Sequence, residues 1–283
     1  MELQPLLQLE TKIMGDTHYE YLDEYLGEMR SRGRFTFTSN EVIERFDLTE
    51  NAFKKTIQRL LQQNRVARLR NEFYLIIPPE YSARQTLPLG YFVDELMTFL
   101  ERDYYVGLLT AAMYHGAAHQ QPQTQYVVSQ PPYLRPIKNR QQSILFCLKK
   151  DWNTESITQQ KTDAGYINIS SPELTALDLV FYSDRIGGIT RAATVMAELA
   201  AELNPDALAK TAEAFSQTTT LQRLGYLLEE VLEEIKIADA LHSALSNRKY
   251  YPALLNPKTD SENQKAPNRW KIIPNMNVEI DAL

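Results

Sequence analysis

The chain has 283 residues, 43% of them hydrophobic, and a net charge of −6. That length holds two or three domains with a sizeable core, and the acidic balance excludes a protein coated in nucleic acid while leaving room for one small basic module. No apolar run approaches the ~20 residues that cross a bilayer, and Met1 to Thr11 lacks the basic start and apolar centre of a secretory signal, so a cytoplasmic location is expected. The single cysteine, Cys147, lies in the apolar run Ile144 to Leu148 and reads as a small core residue in a reducing compartment.

Helical spacing of Tyr21, Leu22, Tyr25, Leu26 and Met29 predicts a first helix from about Tyr19 to Met29, ended by Gly33. Phe35 to Thr38 alternates aromatic with polar, as a short half-buried strand does. Thr38 stands three residues before Glu41, the capping-box spacing in which each side chain satisfies a free backbone N–H. A second helix to about Phe46 follows, then a tight turn at Asp47-Leu48 with Thr49 as the next cap. A third helix runs to about Gln63, with Asn64 as a left-handed stop. Arg65 to Leu69 and Glu72 to Ile77 read as two strands around Arg70-Asn71, ended by Pro78-Pro79. Helix, strand, helix, turn, helix and hairpin in that order predict a winged helix-turn-helix over 1–85.

The charge distribution matches that module. From Arg45 to Asn71 seven basic residues (Arg45, Lys54, Lys55, Arg59, Arg65, Arg68 and Arg70) face only Asp47 and Glu50, which leaves the remainder of the chain strongly acidic. On the third helix Phe53, Ile57, Leu60 and Leu61 form one stripe, while Asn51, Lys55, Gln58, Arg59 and Gln62 lie opposite with Lys54 on the flank. Asn and Gln can pair two hydrogen bonds with adenine, and Lys and Arg reach guanine or phosphate. The expected DNA surface is therefore Asn51, Lys54, Lys55, Gln58 and Arg59, joined by Arg65, Arg68, Arg70 and Asn71 from the hairpin, a placement suited to phosphate or the neighbouring minor groove.

Beyond Pro88 the composition changes, and a larger domain over 86–283 is expected, α/β at first and mainly helical after about 172, so that the whole chain classes as α+β and predominantly helical. Apolar segments predict helices from Tyr91 to Leu100 and from Tyr105 to about Ala118. Strand-like runs follow at Tyr126 to Val128, Ile144 to Leu148 and Tyr166 to Ile169, around a proline-bearing loop from Gln130 to Gln142. Ser171-Pro172 reads as a cap and first turn, and helices are expected near Glu173 to Tyr182, Gly188 to Leu203, Pro205 to Phe215, Leu221 to Ile235 and Ala238 to Ser246. Arg269 to Ile273 reads as a strand closing against this domain.

The segments Tyr105 to Gly116, Ile169 to Leu179 and Leu221 to Glu229, with Asn268-Arg269-Trp270 behind them, resemble in their order the AbiEi antitoxins of bacterial abortive-infection systems. The resemblance spans most of the chain from about Tyr19. It implies a type IV toxin–antitoxin operon used in phage defence. The winged domain would bind inverted repeats in its own promoter and repress transcription, and the C-terminal domain would neutralise a nucleotidyltransferase-like toxin without requiring a stable complex. No cofactor and no catalysis are expected, since the residue groupings that could carry them read as structural. The alternative is a stand-alone winged-helix transcription regulator whose larger domain senses a ligand.

Other groupings lead to weaker chemistry. His115 and His119 have zinc-ligand spacing, but Gly116 stands where a zinc protease needs a glutamate, and no third ligand is evident. Gly187-Gly188 is followed by Ile189-Thr190-Arg191 rather than the lysine of a phosphate loop and reads as a turn. Asp178 and Asp184 could form a carboxylate pair, but their six-residue spacing places them on different helix faces, and Asp178 reads as a surface charge. Glu229, Glu230, Glu233 and Glu234 read as a solvated acidic face. Arg185, Arg191, Lys210 and Arg223 are candidates, on charge alone, for a positive patch serving antitoxicity.

Overall fold

The computed structural model describes residues 21–117, 123–138, 142–260 and 265–280. It divides into two compact units: Met1–Arg102 with Ile137–Gln142 and Lys161–Ile167, and Asp103–Pro136 with Ser143–Gln160 and Asn168–Leu283.

In the first unit residues 21–31 are helical (α1) and bury Leu22, Tyr25, Leu26 and Met29. Gly33, at φ +74, lets the chain turn into β1 (Thr36–Thr38). The capping box at the head of α2 (Ser39–Arg45) is complete: Thr38 accepts from the Glu41 N–H while Glu41 accepts from the Thr38 N–H. Asp47 turns the chain at φ +47, Thr49 caps α3 (Glu50–Gln62), and Asn64 stops it at φ +56. β2 (Val66–Arg70) and β3 (Phe73–Ile76) form an antiparallel hairpin, and β1 joins the far side of β3, giving the order β1-β3-β2. One hydrophobic cluster joins these pieces, with Phe37 stacked on Tyr74 at 5.3 Å and Leu60 fully buried. Each such side chain contributes roughly 2 kcal/mol by leaving water.

The expected helix at Tyr91 to Leu100 is α4 (Val93–Phe99), and it packs on this unit. Glu95 on α4 accepts the Thr36 hydroxyl and pairs with Arg34 at 3.3 Å, and Phe99 meets Phe73 at 5.1 Å. A fragment ending at residue 85 would leave Thr36 and Phe73 without these partners.

The second unit starts with β4 (Tyr104–Val106) and α5 (Leu108–Tyr114). The helix expected from Tyr105 is therefore a strand for its first residues. Tyr-Tyr-Val is an aromatic and β-branched run of the kind that fits a fully buried strand as well as a helix, and long-range pairing with β5 (Thr124–Ser129) decides for the strand. After β6 (Ile137–Lys138) of the first unit come β7 (Ser143–Leu148), β8 (Ile157–Thr162) and β9 (Gly165–Ser170). The neighbouring strands β7-β5-β4-β9 form the centre of a sheet, with β8 beyond β9. β8 reads Ile-Thr-Gln-Gln-Lys-Thr, so its sequence carries no apolar alternation to announce it.

The helical half comprises α6 (Pro172–Phe181), α7 (Ser183–Ile186), α8 (Ile189–Leu199), α9 (Pro205–Ala214), α10 (Thr218–Tyr226) and α11 (Ile235–Leu245). Ser171 caps α6 through the Leu174 N–H, with Pro172 in the first turn as expected, and Asn204 caps α9. The helix expected from Leu221 to Ile235 is broken: α10 passes into a π-helical turn at Leu227–Val231, and Glu233 at φ +58 cannot continue it. The C-terminal segment pairs β10 (Ala253–Leu254) with β11 (Ile272–Ile273) in parallel, a shorter strand than expected, and its Trp270 is fully buried. α6 is enclosed on all sides, each residue from Glu173 to Val180 being buried. No helix among the described residues is long and apolar enough to cross a membrane.

Candidate functional site

In the first unit the capped α3 presents Asn51, Lys54, Lys55, Gln58 and Arg59 to solvent while Phe53, Ile57 and Leu60 face the core. Beside it opens a groove of about 450 Å³ that brings Lys54 and Gln58 of α3 together with Arg68 and Asn71 of the hairpin. Asn51, Lys55, Arg59, Arg65 and Arg70 do not line that groove. Lys54 is held by Glu50 at 3.1 Å, one helical turn earlier, and both side chains stay largely exposed. At the hairpin tip Arg68 donates through Nη2 to the Asn71 side chain and through Nε to the Arg70 carbonyl at 3.2 Å. Glu72 takes a positive φ of 65° there, so backbone and side chains fix the tip together. Arg65 is half-buried and pairs with Asp23 of α1 at 2.5 Å. The patch can give bidentate and charge-assisted hydrogen bonds to planar acceptors and phosphate oxygens.

In the second unit Asp178 is fully buried on α6, which corrects its reading as a surface charge. Its Oδ1 accepts from Lys149 Nζ at 2.6 Å and its Oδ2 from the Tyr105 hydroxyl at 2.6 Å. Lys149 also reaches the Tyr105 oxygen at 3.3 Å and is itself only 12% exposed. An isolated buried carboxylate would cost several kcal/mol, so the lysine and the phenol are what make Asp178 tolerable there. Burial, and then the negative Asp178, hold the Tyr105 hydroxyl well above its ordinary pKa and keep it a donor. Burial likewise pushes the Cys147 thiol up to about 11, in keeping with its place in the core. Sequence reasoning missed Tyr105 and Lys149 as partners. The available signal was the setting of Asp178 among Leu174, Leu177, Leu179 and Val180, which leaves no polar helix face for it.

The acidic face expected at Glu229 to Glu234 is also corrected in part. Glu229 is only 21% exposed, and its Oε2 accepts from Arg269 Nε at 2.6 Å and from the Trp270 indole N–H at 2.5 Å. Arg269 bonds Asp239 as well, at 2.7 Å. Gly225 makes this possible: a Cβ there would lie 2.1 Å from the Trp270 ring. Of the four candidate cations, Arg185 and Arg191 are exposed, Lys210 pairs with Glu155 at 2.9 Å, and Arg223 is half-buried with its Nε on the Leu254 carbonyl at 3.0 Å. Desolvation lowers the Arg223 pKa. His115 meets the Ser170 carbonyl at 2.8 Å through Nε2, whereas His119 lies outside the described residues. Among the described residues no three His, Cys, Asp or Glu side chains stand together as metal ligands would.

Residues 105–230 match the family described as the AbiEi antitoxin C-terminal domain. Over that span the chain is similar to the AbiEi antitoxin C-terminal domain. Tyr105, Asp178, Gly225 and Glu229 all fall within the matched span, so the buried ion network and the seat of Trp270 are built on AbiEi-domain residues. The crystal structure of the RV2827C protein from Mycobacterium tuberculosis is similar to this chain, with a TM-score of 0.62 at 14% identity over 89% of this chain and 90% of that one. That likeness extends the shared fold across both units. No curated protein matches the sequence.

Proposed function

We propose that the first unit is a winged helix-turn-helix that binds inverted repeats in the promoter of its own operon and represses it, while the AbiEi domain neutralises a nucleotidyltransferase-like toxin. The observation that carries the DNA half is the groove in which Lys54 and Gln58 of α3 meet Arg68 and Asn71 of the hairpin. In this reading α3 enters the major groove by its N-terminal half. Asn51, Lys54, Lys55 and Gln58 then meet base edges, Arg59 and Arg65 flank them, and Arg68, Arg70 and Asn71 rest on phosphate or the adjacent minor groove. The elements support it: α3 is capped, amphipathic and exposed on its polar face, and the hairpin tip is braced before any partner arrives.

Toxin neutralisation is assigned to the larger domain because that is where the antitoxin family matches. Arg185 and Arg191, exposed and without the tethers of Lys210 and Arg223, are the proposed positive contacts. The protein acts as an antitoxin and repressor and not as an enzyme. Fluorescence anisotropy of the full chain on a labelled promoter fragment tests the DNA half. Tight binding that weakens steeply with salt is expected, and binding no stronger than to a scrambled duplex refutes it. Co-expression with the toxin encoded next to it tests the other half. Growth is expected to recover with the wild type and to be lost when Arg185 and Arg191 are both changed to Ala. Recovery with that double variant would remove the assigned patch, and no recovery with the wild type would remove the antitoxin role.

A further inference from the structure

A cavity of about 530 Å³ opens in the larger unit, between the segment following β7, the end of α9 and the start of α10. That volume lies within the roughly 300–1,000 Å³ of small-molecule sites. Three aromatic rings line it, Trp152, Phe181 and Phe215. Trp152 is set edge-on against Tyr105 at 5.1 Å, and Phe181 and Phe215 are edge-on to one another at 5.9 Å, so the walls are mutually supported. Phe181 and Leu148 remain 37% and 43% exposed at this site, although they are large apolar groups.

The charged lining is net positive, Lys149 and the exposed Lys150 against the exposed Asp151. Lys149 lines the cavity with its ammonium 4.5 Å over the Phe215 ring. An ammonium carries three donors, and this one spends two on Asp178 and Tyr105, which leaves one for an acceptor. Asp178 behind it has both oxygens engaged and is sealed from solvent, so the buried wall offers no carboxylate to a cation. Ser156 donates to Thr211 at 3.4 Å and Thr211 donates to the Ala207 carbonyl at 2.8 Å, so these two hydroxyls can only accept from a ligand. Aromatic walls select a flat ligand, and two lysines against one aspartate disfavour a positive one.

We propose that this cavity binds a planar heteroaromatic small molecule, neutral or singly anionic, which stacks among Trp152, Phe181 and Phe215 and presents a carbonyl or carboxylate oxygen to Lys149. The site is independent of the DNA surface and of the assignment of Arg185 and Arg191 to toxin contact. The experiment is calorimetric titration of the full chain with guanosine, riboflavin and nicotinate, and with tetramethylammonium as the cationic control. At least one of the three planar probes is expected to saturate a single site per chain, and the control is expected to give no binding heat. Ala214→Trp, an exposed lining position where the indole would occupy the mouth, should abolish that binding. Phe181→Ala, also on the exposed rim, should weaken it roughly tenfold. Failure of all three probes to saturate overturns the proposal, as does preferential binding of the cation. Unchanged affinity in Phe181→Ala overturns it too, and that variant decides the matter should Ala214→Trp fail to fold by circular dichroism.

Discussion

On α3 the polar residues stand in water, with Lys54 tethered to an exposed glutamate one turn away; on α6 a carboxylate is shut in completely and is held by a lysine just after β7 and a phenol on β4. Sequence alone presents both as charged residues in helices. The difference lies in what surrounds the helix. α3 has one buried stripe and an exposed opposite face, whereas every face of α6 from Glu173 to Val180 is covered and a charge there must find its counter-ion inside the protein. The first arrangement leaves its polar side chains exposed. The second serves architecture, and removing one member should hurt the fold before it hurts any contact.

The sharpest way to break this contrast is Asp178→Ala, which strands the Lys149 ammonium in the core and should cost about 3–5 kcal/mol in urea unfolding. The paired change Asp178→Leu with Lys149→Met should recover most of that loss, because it removes both charges together. A null effect of the single change would place the network among solvated pairs like Glu50–Lys54. Next in size, Gly225→Ala drives a methyl into the Trp270 ring and should destabilise by about 1–3 kcal/mol, a loss that Trp270→Leu in the same chain should partly relieve. On the recognition side, Gln58→Ala should lower discrimination at particular promoter bases by roughly 1–3 kcal/mol while leaving unfolding within about 0.5 kcal/mol of wild type. Arg68→Ala should reduce the salt slope of binding by about one and act equally on all sequences. Equal loss of base preference in both variants would merge the roles of helix and hairpin.

Smaller still is the pH effect of Cys147. Its folded thiol titrates at about 11 against an ordinary 9.0, so the unfolded chain gives up its proton first. This contribution to stability is whole below pH 9 and declines from there toward 11, and removing the thiol with Cys147→Ala should flatten that part of the stability–pH curve. The smallest effect is expected for Glu50→Gln, a few tenths of a kcal/mol in stability, with a modest gain in DNA affinity as Lys54 is released.

The first unit was legible because its signals are local. Thr38 with Glu41, Thr49 before α3, Asn64 after it and the stripe Phe53, Ile57, Leu60 each act within a few residues, and the structure places each where the spacing requires. The larger unit resisted because its decisive partners lie far apart in sequence. Tyr105 becomes a strand only through β5 and β9, Asp178 is neutralised by Lys149 twenty-nine residues earlier, and Glu229 is claimed by Arg269 and Trp270 from the C-terminal segment. Pattern reading assigns a charge to solvent unless something nearby contradicts it, and in these places nothing nearby did. The aromatic cavity escaped notice for the same reason, since Trp152, Phe181 and Phe215 come from three separate segments.

The seating of Trp270 against Gly225 also sets an order on synthesis. A ribosome has made the sheet and all of the helices from α4 to α11 before it reaches the residue that fills the gap over α10. Until then the larger unit has a void where an indole belongs and a half-buried Glu229 still lacking both of its donors. A premature stop between β10 and Trp270 would therefore act as a core deletion, taking the ring that covers Gly225 and both donors of Glu229 together.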